Sequence, residues 1–392
     1  MGCQFDQRID RRNTQCVKWD ATAEVFGRED LLPLWVADMD FTAPEPVIEA
    51  IKARADHGVF GYEIKPQSLN EAVLNWLQTR HNWAIDPSWL SYSPGVVGGL
   101  ATAILALTEP GDRIAIQPPV YPPFFSLGDQ NDRIVVENRL IESDGRYTMN
   151  LVELEDIFRS GVKVLILCSP HNPVGRVWSR EELLALGALV VKYDVTVLSD
   201  EIWADLVFSN HQHIPLASLS PEIAERVITF MAPSKTFNLA GFYLSNVIIP
   251  NETLREKFAN QVQRLGNAHS NVFAPVAAEA AYRHGGVWLD ELLAYLEENV
   301  AYVQGELAKI APKIRVVRPE GTFVLWLDCT DLGLPPEELN QFFVQQAGLG
   351  LNDGASFGTS GAGYQRMNIG CPRSLLEEAM KRLAQALGEY KK

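Results

Sequence analysis

One stretch decides the fold of this 392-residue chain: Ala232-Pro-Ser-Lys-Thr-Phe-Asn-Leu-Ala-Gly241. It follows the apolar segment Val227–Met231, which is typical of a buried β-strand. A lysine at such a strand end, among small residues, is expected to be buried. Burial lowers the pKa of a lysine and makes its neutral amine available to form a Schiff base. The ordinary alternative is a solvated lysine, which a bare Ser-Lys dipeptide would favour, so the interpretation of Lys235 depends on the residues that accompany it.

Two further polar residues follow predicted strands. Asn172, within Ser169-Pro-His-Asn-Pro-Val-Gly175, comes after one strand, and Asp200 comes after Thr196–Ser199. Each alone is ordinary turn chemistry, because Asn-Pro and Ser-Asp often begin loops. In an α/β sheet, however, ligands bind at the carboxyl ends of the strands, where Lys235 would join them. The three side chains together fit a cofactor with an aldehyde, a phenolic oxygen and a pyridine nitrogen.

Short apolar strands alternate with amphipathic helical segments through the middle of the chain. The predicted strands are Arg113–Gln117, Arg133–Glu137, Lys163–Cys168, Thr196–Ser199, Arg226–Met231 and Tyr243–Ile249. Among the helical segments, Ser179–Tyr193 begins with a capping box formed by Ser179 and Glu182. This alternation predicts an α/β fold with a mostly parallel sheet and helices on both faces.

The C-terminal part of the chain groups strands with helices instead. The predicted strands are Ile314–Val317, Thr322–Asp328 and Gln365–Ile369, and the predicted helices are Pro336–Gln346 and a closing helix from Arg373. This grouping predicts a smaller α+β domain, and the chain is long enough for two domains. We therefore expect an N-terminal segment packing on the domains (residues 1–43), a large cofactor-binding domain (44–285) and a small domain (286–392).

The composition argues against several functions. A formal net charge of −15 makes nucleic acid or anionic lipid a poor partner, because both need a basic surface. No apolar run is long enough to span a bilayer, and the polar N-terminus lacks the core of a secretory signal. The five cysteines are odd in number and show no CxxC spacing, which favours reduced thiols in a cytoplasmic protein. His211-Gln-His213 has no further ligand cluster beside it, so no metal site is expected.

Beyond single residues, the chain resembles the fold-type I pyridoxal-5′-phosphate (PLP) enzymes of the class I/II aminotransferase superfamily. Within them it is most similar to the MalY/PatB-type cystathionine β-lyases, also called cysteine-S-conjugate β-lyases. The resemblance covers nearly the whole chain and implies PLP as the cofactor. Its most specific segments are Ile9–Thr14 with Val17–Asp20, Leu34–Phe41, His57–Tyr62, Ala232–Gly241 and Arg366–Arg373.

The resemblance implies a role for each residue around the cofactor. Lys235 would hold the cofactor aldehyde and later act as the base at the substrate Cα, and Asp200 would pair with the pyridine nitrogen. Asn172 would donate to the phenolic oxygen. Tyr121 would stack on the ring face as a third catalytic residue. Without the family, a tyrosine between prolines fits a rigid surface turn equally well.

Phosphate recognition also has a physical basis in the sequence. Ser93-Pro-Gly-Val-Val-Gly-Gly99 precedes the helical pattern Leu100–Leu107, and a glycine-rich helix N-terminus offers free N–H groups and a positive dipole. Loop closure is the usual alternative explanation of such glycines. With a cofactor-binding lysine present, we expect Val97 and Gly98 to donate backbone hydrogen bonds to the phosphate, and Ser234 to donate its hydroxyl.

Two further parts of the site come from the resemblance. Tyr243 stands where many aminotransferases place a phosphate-binding arginine. The resemblance offers Tyr62 of the neighbouring subunit as its replacement, which implies a homodimer with shared active sites. Arg366 would bind the substrate carboxylate through two parallel hydrogen bonds, with Asn172 beside it. Trp35 would line the substrate pocket, although a place in the core fits it as well.

The predicted function is a PLP-dependent β-lyase that cleaves cystathionine or a cysteine conjugate to pyruvate, ammonia and a thiol. An aminotransferase of amino acids with the same site is the first alternative. The second is a regulator-binding protein with residual lyase activity, whose partner would be a transcription regulator by family analogy. Trp203 departs from the family, whose members often carry His or Tyr at that position, and it leaves the substrate range open.

Overall fold

A computed structural model describes residues 4–390 of the chain. Cys3 and the outermost residues of the predicted segments 1–43 and 286–392 lie outside the described residues. In the described part, the strands are β1 (Leu32–Pro33), β2 (Leu90–Ser93), β3 (Arg113–Ile116), β4 (Ile134–Glu137), β5 (Ile141–Ser143), β6 (Arg146–Thr148), β7 (Val164–Cys168), β8 (Thr196–Asp200), β9 (Val227–Met231), β10 (Ser245–Ile248), β11 (Arg315–Val316), β12 (Val324–Asp328), β13 (Leu349–Gly350), β14 (Asn352–Asp353) and β15 (Tyr364–Asn368).

The helices of the same residues range from single turns to seven turns. They are α1 (Val17–Asp20), α2 (Thr22–Phe26), α3 (Glu45–Asp56), α4 (Gln67–His81), α5 (Gly95–Leu107), α6 (Pro123–Asp129), α7 (Leu151–Arg159), α8 (Arg180–Tyr193), α9 (Pro221–Ala224), α10 (Pro233–Thr236), α11 (Glu252–Arg264), α12 (Ala274–His284), α13 (Gly286–Ile310), α14 (Pro336–Gln341) and α15 (Arg373–Tyr390). Within residues 4–390, no helix combines the length and the apolar character that crossing a membrane requires.

A seven-stranded sheet with the order β2-β10-β9-β8-β7-β3-β4 forms the centre of the fold. Strands β9, β8, β7, β3 and β4 are parallel, and β10 is antiparallel to both of its neighbours. Because side chains alternate across a strand, Ile166 of β7 packs into one core while Leu165 and Leu167 pack into the other. Helices α5, α6 and α11 cover the first face, and α7, α8 and α12 cover the second. The predicted α/β fold with a mostly parallel sheet is therefore confirmed.

The six central strands predicted from sequence are all present, with ends displaced by at most two residues. Strand β2 was not predicted from the sequence. Its residues Leu90-Ser-Tyr-Ser show only a weak alternation of apolar and polar side chains, and the strand lies at the edge of the sheet. The capping box of α8 is present as expected. Ser179 Oγ accepts the N–H of Glu182 at 3.2 Å, and Glu182 Oε2 accepts the N–H of Ser179 at 2.8 Å.

A second sheet has the order β11-β12-β15-β14, and all its neighbouring strands are antiparallel. It contains the three strands predicted in the C-terminal part. The helix predicted at Pro336–Gln346 is α14 followed by a π-helical turn, Phe342–Gln346. Antiparallel strands mixed with helices match the predicted α+β region, and the expected boundary at residue 286 falls between α12 and α13.

The N-terminal segment is held by a buried charge pair and by contacts with both sheets. Lys18 is fully buried, and its Nζ lies 2.6 Å from a carboxylate oxygen of Asp40. The N–H of Asp40 donates to the carbonyl of Gly370 after β15, at 2.8 Å. Asn238, after α10, accepts the N–H of Met39 at 3.0 Å. The segment therefore joins the two sheets at the point where the candidate site lies.

Candidate active site

The carboxyl ends of β7, β8 and β9 open into a cavity of about 550 Å³. Nine residues predicted for the site line it: Trp35, Val97, Gly98, Tyr121, Asn172, Asp200, Ser234, Lys235 and Arg366. Tyr62 lies elsewhere, with 97% of its surface exposed and its ring beside that of His269. One chain thus brings together every predicted residue except the one assigned to the neighbouring subunit.

Lys235 lies in the short helix α10, directly after the buried strand β9. Its Nζ donates to the carbonyl of Ala37 and lies 5.5 Å from the centroid of the Trp203 ring. Burial and the nearby charge of Arg366 lower the pKa of Lys235 to about 8, although Asp38 and Asp200 oppose the shift. A substantial fraction of the amine is therefore neutral near physiological pH, as condensation with an aldehyde requires.

A buried network fixes the helix that carries this lysine. Thr236, the next residue, donates its hydroxyl to Asp205 Oδ2 at 2.7 Å. The other carboxylate oxygen, Oδ1, accepts the indole N–H of Trp76 at 2.9 Å and lies 2.9 Å from His81 Nε2. Because all these groups are largely removed from water, α10 has little freedom to rotate Lys235 away from the cavity.

Asp200 ends β8, in register with Cys168 of β7 and Phe230 of β9. Only 4% of its surface is exposed, and its Oδ1 accepts the N–H of Ile202 at 3.1 Å. Burial raises the pKa of Asp200 to about 7, opposed by that N–H and by the charge of Lys235. A carboxyl group held in this way pairs favourably with a basic ring nitrogen, because a positive partner restores its charged form.

Arg366, on β15, is a buried guanidinium whose protein partners are all neutral. Its Nη2 donates to Asn352 Oδ1 at 2.6 Å and to the carbonyl of Trp35 at 2.8 Å. Its Nη1 donates to Asn172 Oδ1 at 3.1 Å, and its Nε is buried without a partner. No carboxylate forms an ion pair with it anywhere in residues 4–390, and burial lowers the pKa of Arg366 to about 10. The cavity therefore contains a cation that lacks its anion.

The amino end of α5 forms the opposite wall of the cavity. The helix begins at Gly95, where φ is +76°, and its N-cap residue Pro94 supplies no side-chain hydrogen bond. The N–H of Val97, in the first turn, has no acceptor within the helix and is therefore available to an anion, whereas the N–H of Gly98 faces the carbonyl of Pro94 one turn before it. Ser234 lines the same cavity. Their role in binding a phosphate stays a prediction.

Aromatic side chains complete the cavity. Tyr121 lines it, and burial raises the pKa of its phenol, which therefore stays protonated. Trp203 is 2% exposed and packs edge-to-face on Phe323, with ring centroids 4.7 Å apart. Trp35 lines the cavity, and its ring also packs on the ring of Phe26, with centroids 5.5 Å apart. Both places that the sequence left open for Trp35, the cavity and the core, therefore describe it.

Three functional residues were missed by the sequence analysis: Ala37, Asn352 and Asp205. Ala37 acts through a backbone carbonyl, which leaves no trace in the side-chain pattern. Asn352 stands in Leu351-Asn-Asp-Gly354, where an asparagine is typical of a turn. Asp205 follows Asp200 by five residues, and only the folded chain shows that it lies behind α10.

The residues present fit PLP. Lys235 offers an amine with a lowered pKa, and Asp200 offers a buried carboxyl group for the ring nitrogen. The first turn of α5 and Ser234 offer donors for a phosphate. Arg366, with its unpartnered buried Nε, remains for the carboxylate of an amino-acid substrate.

Known proteins resemble the chain over almost its whole length. The cystathionine β-lyase PatB of Bacillus subtilis (strain 168) is 46% identical over 384 residues, which are 98% of this chain and 99% of PatB. The protein MalY of Escherichia coli (strain K12) is 32% identical over 98% of each chain. A PLP-bound crystal structure from Clostridium difficile 630 superimposes with a TM-score of 0.96, at 43% identity over 98% of this chain and 100% of that one.

Residues 29–383 also match the family described as aminotransferase class I and II. This match spans both sheets and every residue that lines the cavity. The chain therefore belongs to the class I and II aminotransferase family, in the group that contains PatB and MalY.

Proposed function

We propose that this chain is a PLP-dependent β-lyase that cleaves the Cβ–S bond of cystathionine or a related cysteine S-conjugate. Its products would be pyruvate, ammonia and a thiol. The proposal rests on one observation: Lys235, Asp200 and Arg366, whose Nε has no hydrogen-bond partner, line the same cavity. Such a set suits an amino acid, because one group serves the cofactor aldehyde and another binds a carboxylate. The name of PatB supports the sulfur-containing substrate class.

The bound PLP supplies a ring that takes up the negative charge left when a substrate loses its Cα proton. Asp200 supports this chemistry by holding a positive charge at the ring nitrogen. Asn172 donates from its amide, since its Oδ1 is already engaged by Arg366. The N–H groups of α5 and the hydroxyl of Ser234 bind the phosphate, and Tyr121 packs against the ring.

Substrate orientation follows from the position of Arg366. By binding the carboxylate it directs the Cα–H bond towards Lys235, whose Nζ takes the proton. A pKa of about 8 suits this base, because the neutral amine is present near physiological pH. The thiolate then leaves from Cβ, and the released enamine reacts with water to give pyruvate and ammonia. Trp203 lies beside this lysine and can donate one hydrogen bond but cannot titrate.

The proposal includes a homodimer with shared active sites. Tyr62 is almost fully exposed, and its neighbours Val59, Phe60 and Ile64 are also more than half exposed. A contiguous exposed apolar stretch of this kind is typical of an interaction surface. A second copy of the chain would cover it and would bring Tyr62 to the phosphate of the opposite cavity.

The main test distinguishes a lyase from an aminotransferase. We expect continuous turnover of L-cystathionine without any added keto acid, giving pyruvate, ammonia and homocysteine in equal amounts. Elimination returns the cofactor in its starting form, whereas transamination leaves it as an amine that a keto acid must recycle. Pyruvate can be followed with lactate dehydrogenase.

L-Alanine is the matched control, because it has no leaving group and should undergo only slow half-transamination. If turnover of sulfur amino acids stops after one equivalent and resumes when a keto acid is added, the protein is an aminotransferase.

The second prediction concerns the pH dependence of cofactor attachment. Because only the neutral amine attacks an aldehyde, the rate of PLP attachment to apoprotein should rise with pH, with a midpoint at about 8. Borohydride reduction and peptide mapping should place the pyridoxyl group on Lys235. The exposed Lys257→Ala variant is the control and should behave like wild type. A label on another lysine, or a midpoint near the ordinary lysine value of about 10.4, would contradict the assignment.

The third prediction concerns the substrate carboxylate. Arg366→Ala should lower kcat/KM by the equivalent of roughly 2–5 kcal/mol, because the substrate charge loses its partner. PLP occupancy, measured by absorbance, should change little. Arg373→Ala is the control, since Arg373 lies outside the cavity and donates to Asn299 Oδ1. An unchanged kcat/KM for Arg366→Ala would assign the carboxylate to another residue.

The fourth prediction concerns the shared site. Lys235→Ala and Tyr62→Ala proteins should each be weakly active or inactive alone. Their heterodimers should regain activity, because one of the two sites then contains both native residues. Differently tagged subunits allow the heterodimer to be purified and assayed. Heterodimers that stay inactive would show that each site is built within one chain.

A further inference from the structure

A second cavity, also of about 550 Å³, is lined by residues that are all different from those of the active-site cavity. Four segments enclose it: the hairpin β5–β6, the start of α8, the turn before β12 and the loop 210–214. The first three each contribute one exposed arginine to the lining, namely Arg146, Arg180 and Arg318. In the part of the chain that the structure describes, none of these three guanidinium groups forms a hydrogen bond or an ion pair.

Arg176 holds the first three of these segments together. This side chain is 2% exposed, and its Nε donates to the carbonyl of Tyr147 in the hairpin at 3.0 Å. Its Nη2 lies 2.6 Å from Glu182 Oε2 in the first turn of α8. Its Nη1 lies 3.2 Å from Glu320 Oε2, in the turn that contributes Arg318. The charge of Arg176 is thus neutralised by two carboxylates, and its contacts fix the elements from which the other arginines project.

Arg180 is the first residue of α8, where a cation interacts unfavourably with the positive end of the helix dipole, although Glu181 follows it in the same turn. Within residues 4–390, the lining contains four arginines, Arg146, Arg176, Arg180 and Arg318, against two acids, Asp144 and Glu320. The cavity therefore carries a net positive charge on a chain whose formal net charge is −15.

We propose that this arginine pocket, defined by Arg146, Arg180 and Arg318, binds a compact anionic metabolite that carries phosphate or carboxylate groups. Guanidinium groups bind phosphate and carboxylate oxygens through paired, charge-assisted hydrogen bonds. The volume lies within the range of roughly 300–1,000 Å³ found for small-molecule sites.

The pocket is connected to the active site through a short piece of backbone. The N–H of His171 donates to the carbonyl of Arg176 at 2.8 Å. The next residue, Asn172, lines the active-site cavity and accepts from Arg366. An anion that orders the elements around Arg176 therefore stabilises the same loop that positions Asn172.

Isothermal titration of the PLP-saturated protein with pyrophosphate, and separately with citrate, tests the proposal. We expect one site per chain for at least one of the two anions, with binding that weakens as NaCl is added. The Arg146→Gln/Arg180→Gln/Arg318→Gln variant should bind at least about tenfold more weakly. Pyrophosphate alone would indicate a phosphorylated ligand, and citrate alone a polycarboxylate. If neither anion binds, the proposal is wrong.

Two controls locate the binding. Arg159→Gln/Arg226→Gln/Arg283→Gln removes the same charge from exposed ion pairs elsewhere and should leave the affinity unchanged. Arg366→Ala should also leave it unchanged. Equal weakening in the first control would mean non-specific charge attraction, and loss in Arg366→Ala alone would assign the anion to the active site. If the triple variant loses PLP, the single variant Arg180→Gln, with an expected loss of several-fold, provides the same comparison.

Discussion

Four consecutive backbone carbonyls, those of residues 35–38, hold the polar side chains around which the active site is arranged. The carbonyl of Trp35 accepts from Arg366, and that of Ala37 accepts from Lys235. The remaining two both accept from Asn368 Nδ2, at 2.6 Å each. Arg366 and Asn368 belong to the second sheet, whereas Lys235 follows a strand of the first. One extended segment thus sets the distance between Lys235 and Arg366, the residues proposed to bind the cofactor and the substrate carboxylate.

This segment has almost no secondary structure of its own, so charge must fix it. Arg11 lies 2.7 Å from Asp38 and 2.7 Å from Asp40, and the fully buried Lys18 lies 2.6 Å from Asp40. The two basic groups and burial act in opposite directions on Asp40, and the net effect lowers the pKa of that carboxyl. Buried ion pairs contribute little net stability but penalise every arrangement that separates the partners. Here they select one path of the chain. The charge of Asp38 also raises the pKa of Lys235 and so offsets part of the lowering that burial causes.

The sequence revealed those parts of the site that depend on side-chain type at strand ends. Asp200 and Lys235 could be predicted because parallel strands end at one edge of a sheet, and the observed register places them there. Arg366 required the family resemblance, since nothing in its local sequence shows that it lies across the cavity. Ala37 and Asn352 could not be found, because a carbonyl and a turn asparagine acquire their roles only when distant segments meet. Tyr62 lies outside the cavity of its own chain, and its role in the site of a partner stays a prediction.

Asp200, Lys235 and Arg366 share one property: burial shifts the pKa of each towards its neutral form. Burial raises the pKa of Asp200 to about 7 and lowers that of Lys235 to about 8 and that of Arg366 to about 10. Each shift records a cost of leaving the group charged without a full partner. PLP offers a ring nitrogen to the carboxyl and an aldehyde to the amine, and an amino acid offers a carboxylate to the guanidinium. Because a ligand that binds only the folded state stabilises it, the same groups that weaken the empty cavity strengthen the loaded protein. A ligand that supplies the missing partners therefore relieves an electrostatic cost that the empty cavity carries.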